Sequence, residues 1–348
     1  MKKKIAVFFG GCSPEYTVSL SSAYAVLQNL DIKKYDALPI GISKEGNWYY
    51  YTGPLENILH DTWLDSTYCI PTTLCMDRSA HKLYLFKTSG VVSLPIDLAF
   101  PILHGKNGED GTIQGALTME GIPFVGCGVL SSSLCMDKVR AHELVASQGI
   151  SVARSFVMNP DTPLQQAEAF AQKVHYPLYV KPVKAGSSFG ITKVLCSDNL
   201  HSAIHGAFVY DDQVVLEENI DGFEVGCAIL GNHDLFTGQI DEIELSDGFF
   251  NYTEKYTLQH STIHVPARIS MKKTIEIQQV AKRIYRILGC SGFARVDLFL
   301  TPQGNIVFNE VNTIPGFTEH SRYPGMMNAA GYSFSALLDK LIEQVVTT

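Results

Sequence analysis

Two segments near the end of the chain carry the residues best suited to phosphate chemistry. Phe293–Leu300 alternates, with Arg295 and Asp297 on one face and Ala294, Val296 and Leu298 on the other. Ile306–Asn312 alternates too, with Glu310 and Asn312 sharing a face. If Pro302-Gln303-Gly304-Asn305 is the hairpin loop, Asp297 lies opposite Glu310 and Arg295 lies opposite Asn312. Two acids directly opposite would repel, and a cation between them removes the conflict. Carboxylate and amide oxygens suit Mg²⁺, which takes few protein ligands and fills its shell with phosphate and water. Arg295 would then face phosphate oxygens. Spacing alone leaves a second reading of equal standing, a solvated hairpin face holding an Arg–acid ion pair.

A second constellation is Lys181, Lys184, Gly186, Ser187, Ser188 and Gly190. Small residues let backbone N–H groups approach an anion, hydroxyls add donors, and lysine adds charge. No Gly-Lys-Ser/Thr follows, so this is not a Walker A loop. It sits between two strand patterns and resembles a flap; a plain flexible turn is the alternative.

These residues need a scaffold, and the chain is long enough to supply one. It has 348 residues, 46% of them hydrophobic, which suits two or three domains. The formal net charge of −8, with no long run of one sign, gives no basis for a nucleic-acid face. The opening Met1-Lys2-Lys3-Lys4-Ile5 resembles a signal peptide only briefly. Its apolar run falls short of the ~7–15 residues of an h-region and enters Gly10-Gly11, so it reads as a first β-strand. No stretch approaches the ~20 apolar residues of a membrane span. The eight cysteines form no Cys-x-x-Cys pair and no zinc spacing. Reduced thiols, no membrane partner and a cytoplasmic setting are expected.

Ile5–Phe9, the helix-like Val18–Leu30 and Tyr35–Ile42 make a βαβ unit, which implies a parallel sheet. Leu94–Leu103 and Ile122–Val125 read as further strands. Trp48-Tyr49-Tyr50-Tyr51 reads as a strand rather than a stacking platform. Ser131-Ser132-Ser133 can cap a helix running to Gly149, and a first boundary falls near residue 128. Tyr179–Pro182, Ile191–Leu195 and Val214–Glu218 are strand patterns. Glu224–Leu230 and Leu235–Glu244 look like antiparallel strands. Ile277, Val280, Ala281, Ile284 and Leu288 recur at helical spacing, and Gly289 ends that helix. Ser333–Val346 is a closing helix.

Taken together, these segments resemble the ATP-grasp enzymes, and within them the D-alanine–D-alanine ligase family, over nearly the whole chain. Gly10-Gly11-Cys12-Ser13-Pro14-Glu15 looks like the family's first substrate loop. The run from His104-Gly105 through Gly108-Glu109-Asp110-Gly111 to Gln114-Gly115 looks like its His-Gly…Gly-Glu-Asp-Gly…Gln-Gly signature. Met136-Asp137-Lys138 and Lys181-Pro182 match its ATP-binding lysines. Glu310-Val311-Asn312-Thr313-Ile314-Pro315-Gly316 is similar to its Glu-Val-Asn-Thr-x-Pro-Gly segment. The implied fold class is α/β and α+β. A parallel α/β domain over 1–128 precedes a two-subdomain ATP-grasp fold, with a central subdomain at 129–213. A C-terminal metal-binding subdomain spans 214–348 and carries a lid loop at 246–259.

The resemblance implies roles. Lys138 and Lys181 would bind ATP phosphates; Glu217, Ile220, Glu224 and Lys255 would face the rest of the nucleotide. Asp297, Glu310 and Asn312 would hold Mg²⁺ or Mn²⁺. Glu15 would take the ammonium of the first D-amino acid, with Ser187 orienting Glu15 and the lid residue Tyr256. Arg295 and the Gly316 backbone would polarise the carbonyl. A γ-phosphoryl transfer would give an acyl phosphate, which an amine then attacks. A lid is needed because that intermediate hydrolyses in open water. His104 would contact lid or substrate, or serve only as a turn donor; His320 reads as structural. A homodimer is implied as well.

Glu254-Lys255-Tyr256 looks like the family's Ala-Lys-Tyr form, whereas relatives that use D-lactate carry histidine at the Tyr256 position. Tyr256 thus implies an amine nucleophile. Ser321 and Arg322 follow the substrate loop, where ordinary members carry an apolar residue or lysine at the Arg322 position and methionine at that of Phe317. A site built to hydrogen-bond a hydroxyl rejects the analogue lacking it, so Arg322 points to D-serine as second substrate. The resemblance therefore extends to the vancomycin-resistance D-alanine–D-serine ligases, most closely the VanG type, with a cell-wall D-Ala–D-Ala ligase as the alternative. Tyr16, His142 and Phe250-Asn251 depart from the family's pattern without removing a metal ligand or a phosphate lysine.

Overall fold

The computed structural model describes residues 2–75, 77–186, 189–245 and 261–346, with Val346 described in its backbone only. Three sheets succeed one another along the chain. The first has seven strands: β1 (Lys3–Gly10), β2 (Tyr35–Ile42), β3 (Trp48–Tyr51), β4 (Cys69–Leu74), β5 (Lys82–Lys87), β6 (Gly90–Pro95) and β7 (Leu98–Pro101), in the order β6-β5-β4-β3-β2-β1-β7. β1 lies parallel to both β2 and β7. Its run Ile5–Phe9 is wholly buried, as a strand covered on both faces requires. β3 to β6 extend the sheet by antiparallel pairing. The expected strand Leu94–Leu103 is two strands, because Ile96-Asp97 turn the chain from the outer edge of the sheet to the opposite edge. Ile122–Val125 is reduced to a single bridge, between Phe124 and Ala99.

The second sheet is β8 (Ser155–Met158), β9 (Leu178–Pro182), β10 (Thr192–Val194) and β11 (Val214–Glu218), in the order β10-β9-β11-β8. β11 lies inside it, bonded to both β8 and β9, so a division at 213/214 would cut this sheet. The third is β12 (Phe223–Leu230), β13 (Phe236–Leu245), β14 (Ser261–His264), β15 (Phe293–Leu300) and β16 (Ile306–Asn312), all antiparallel, in the order β14-β13-β12-β15-β16. The helix Met271–Ile287 packs Ile277, Ala281 and Ile284 on that sheet. Ser270 caps it by accepting from the Lys273 N–H, and Gly289 ends it at a φ of 67°.

The helix expected from Ser131 to Gly149 is two helices, Val129–Met136 and Lys138–Ser147. Asp137 leaves the helical conformation between them and its carboxylate accepts from the Arg140 N–H. The serines therefore lie inside the first helix, and the real cap is Asp137. The C-terminal helices Arg322–Ala329 and Phe334–Val346 share one core with the first sheet. Phe317 is central to it, its ring against Phe100, Phe293, Tyr323 and Phe334. This shared core seats the loop 313–321 between the first and third sheets.

Candidate active site

The β15–β16 hairpin pairs Asp297 with Glu310 and Arg295 with Asn312, as the spacing predicts, but by a different route. Leu300 pairs with Ile306 and Thr301 N–H bonds Asn305 O, so the loop is one residue shorter than expected. A bulge between Asp297 and Leu298 restores the register, with Asn309 the extra residue. Phe308 and Val311 can then both enter the core while Glu310 and Asn312 face the site. His142 Nε2 holds the bulge through Asn309 O at 2.7 Å.

On the hairpin face, Arg295 forks Asp297, Nε to Oδ1 at 2.8 Å and Nη2 to Oδ2 at 2.7 Å. The Asn312 amide donates to Asp297 Oδ2 at 2.9 Å. Arg322 enters from the start of its helix. Its Nε and Nη2 fork Asp241 at 2.7 and 2.9 Å, its Nη1 reaches Glu224 at 2.6 Å, and Nη2 stands 3.5 Å from Asp297. Two guanidinium groups thus share a surface with Asp241, Asp297, Glu224 and Glu310. That leaves an excess of two negative charges, which one divalent cation would balance. Among the described residues no three His, Cys, Asp or Glu side chains form a ready-made metal cluster. Asp297, Glu310 and Asn312 are two carboxylates and an amide, a donor set suited to a hard cation that keeps phosphate and water in its shell.

Arg322, expected from the sequence as a charged donor close to the second substrate, is thus held within an ion cluster. It is 8% exposed and locked to Asp241, which is fully buried on β13. Asp241 was missed because nothing in Ile240-Asp241-Glu242-Ile243 singles out one acid. The one available signal was an acid at a core-facing position of an alternating strand.

Beside the hairpin lies a cavity of about 510 Å³ lined by Lys138, Lys181, Lys193, Glu217, Ile220, Glu224 and Glu310, among others. Lys181 Nζ bonds Glu217 Oε2 at 2.6 Å and Lys138 Nζ bonds Ala185 O at 2.6 Å. Burial works against the Lys181 charge, but Glu217 outweighs it and holds the ammonium above its usual range. Burial likewise opposes the Glu217 charge, and Lys181 and His142 bring that carboxyl below its usual range.

Glu15 opens the helix Tyr16–Asn29 and is buried. A Cβ at Gly105 would lie 2.1 Å from its Oε2, and one at Gly186 2.5 Å, so both loops close on this carboxylate and need glycine there. Glu109, quoted in the signature without a role, accepts from the N–H groups of Gly105 and Ile314, each at 2.9 Å. Burial and then Glu15 push its carboxyl up to about 8. His104 is committed at both nitrogens, to Ile314 O at 2.8 Å and Ser22 Oγ at 3.1 Å, and Ser22 accepts from Phe317 N–H. His104 thereby latches the first domain to the loop carrying Gly316. Burial lowers this histidine to about 4 from an ordinary 6.5. Ser321 Oγ accepts from Thr318 N–H at 3.0 Å and lies under Gly316. Ser187, Lys255, Tyr256 and the lid 246–259 lie outside the described residues.

A cavity edged by lysines and acids, set between two antiparallel sheets and opening on an acidic hairpin, is the architecture of an ATP-grasp ligase. Residues 4–127 match the family model for the D-ala D-ala ligase N-terminus and 144–343 that for the C-terminus. The chain belongs to the D-alanine–D-alanine ligase family. It is 54% identical to the VanG D-Ala:D-Ser ligase of Enterococcus faecalis, whose crystal structure superposes with a TM-score of 0.91 over 99% of this chain and 100% of that one. It is 44% identical to the vancomycin C-type resistance protein VanC1 of Enterococcus gallinarum, over 98% of this chain and 97% of that protein. It is 43% identical to a D-alanine–D-alanine ligase of Caldicellulosiruptor bescii, over 99% and 95%. Membership implies ATP and a divalent metal. Among the described residues no helix is long and apolar enough to cross a membrane.

Proposed function

We propose that the chain joins D-alanine to D-serine at the expense of ATP, making the D-Ala–D-Ser terminus of modified peptidoglycan precursors in the cytoplasm and thereby supporting vancomycin resistance. The observation that carries this reading is the buried Arg322, held by Asp241 at the edge of the hairpin face. Its likeness to the VanG D-Ala:D-Ser ligase agrees. Second-substrate choice here is a choice between a methyl and a hydroxymethyl group. An apolar pocket discriminates poorly between them, whereas a charged donor left unpaired by D-alanine rejects it.

In the reaction, Glu15 takes the ammonium of D-alanine, and Ser187 orients Glu15 and Tyr256. Lys138 and Lys181 hold the ATP phosphates, while Glu217, Ile220, Glu224 and Lys255 hold the adenosine. Asp297, Glu310 and Asn312 would hold Mg²⁺ or Mn²⁺, which supplies charge neutralisation during phosphoryl transfer. The D-alanine carboxylate attacks the γ-phosphoryl group, giving D-alanyl phosphate and ADP. The amine of D-serine, placed by Ser321 and Arg322, attacks that carbonyl. Arg295 and the Gly316 N–H bear the oxyanion until phosphate leaves. A homodimer is the expected assembly, and light scattering that finds monomer alone would overturn it.

The reading is tested by ADP release with D-alanine plus D-serine, additional D-alanine or D-lactate, followed by product identification. D-Ala–D-Ser should dominate. A preference for D-Ala–D-Ala would return the chain to ordinary cell-wall synthesis, to which the 43% relative gives weight.

A further inference from the structure

Glu224 belongs to two neighbourhoods at once. It lines the nucleotide cavity, and its Oε1 accepts from Arg322 Nη1 at 2.6 Å. β12 carries the connection. Two residues after Glu224, Gly226 donates its N–H to Asp241 Oδ1 at 2.7 Å. A Cβ on Gly226 would sit 2.6 Å from Arg322 Nη2, so the strand is pared to backbone where the guanidinium passes.

The arms of Arg322 differ in what can displace their partners. Nε and Nη2 are held by Asp241, which is fully buried and is not among the described residues that line the cavity. Nη1 is held by a carboxylate that the cavity reaches. The polar ends of that cavity differ as well. Lys138, Lys181 and Lys193 suit phosphates, and Glu217 is already paired with Lys181. On the proposed function Glu224 is one of the residues that hold the adenosine, whose ribose offers two hydroxyls that a carboxylate can accept from.

We propose that Glu224 couples nucleotide binding to choice of the second substrate: ribose hydroxyls draw its carboxylate off Arg322, and the Nη1 donors released are those that meet the hydroxyl of D-serine. Before nucleotide binds, Glu224 masks the donor that discriminates. Afterwards the donor lacks a partner unless the substrate brings one, and D-alanine cannot. The coupling is reciprocal, so D-serine also tightens the nucleotide. This inference rests on the assignment of the cavity to ATP and of D-serine to the second site.

The test is the ratio of kcat/KM for D-serine to that for D-alanine as second substrate, measured with ATP and with 2′,3′-dideoxy-ATP. In the unaltered protein the ratio should fall about tenfold with the dideoxynucleotide, within the usual range of coupling. In Glu224→Gln, which keeps the shape but not the ion pair, the ratio should be the same with both nucleotides. A ratio in the unaltered protein that does not change between nucleotides overturns the coupling, as does a Glu224→Gln enzyme that keeps the difference. Failure of the unaltered protein to make D-Ala–D-Ser with ATP overturns the functional reading and this inference with it.

Discussion

Arg295 and Arg322 are both buried, and each forks an aspartate, yet they are built in opposite ways. Arg295 bonds Asp297 two residues along the same strand. Arg322 crosses 81 positions of sequence to Asp241, and 98 to Glu224. The first arrangement follows from strand periodicity and, on the proposed function, would serve the phosphoryl-transfer step. The second exists only once a helix start, β12 and β13 have packed together, and on that reading it would border the second substrate. Catalysis would then rest on a local hairpin, and selectivity on a long-range ion cluster.

The sharpest way to break the hairpin half of this comparison is to insert one alanine between Glu310 and Val311. Alternation then turns Asn312 to the core face and Val311 to the site, and ADP release should vanish. Retained activity would mean that the register does not place the metal ligands. Next in size is Asp297→Asn, which weakens the Arg295 fork and removes a charged ligand. Steady-state ADP release should drop about 10³-fold, and a loss below about tenfold would contradict its role.

The cluster half is sharpened by Arg322→Leu. It should shift the kcat/KM ratio toward D-alanine by at least about tenfold. It also strands Asp241, at a cost of about 3–5 kcal/mol in urea unfolding. Adding Asp241→Ala should recover much of that stability but none of the selectivity. Stability without recovery would show that the pair is not coupled.

The smallest effect concerns the latch at the junction of the two halves. His104 is neutral when folded, down to about pH 4. The unfolded chain takes up a proton below an ordinary 6.5. Its contribution to stability is therefore intact above pH 6.5 and lost progressively from there toward pH 4, by up to about 3 kcal/mol. In His104→Gln, thermal melting should depend less on pH between 7 and 5. An unchanged slope would assign the acid sensitivity elsewhere.

The same contrast explains what the sequence disclosed. The hairpin pairs, the cavity lysines and the chain order of the strands were legible because period-two alternation and contiguous motifs are local. The compensation between a shorter loop and the Asn309 bulge was invisible, since the two shifts cancel at Asp297 and Glu310. Asp241 and Ser22 could not be singled out, because their side-chain partners Arg322 and His104 lie far along the chain and acquire meaning only through packing. Phe317 read as part of a substrate loop, whereas its ring is core.

The central claim is tested most directly by one competition. Unaltered enzyme is given ATP, Mg²⁺ and equal concentrations of D-alanine and D-serine, and the dipeptides are counted by mass. A product pool dominated by D-Ala–D-Ser is predicted, and one dominated by D-Ala–D-Ala would contradict the account.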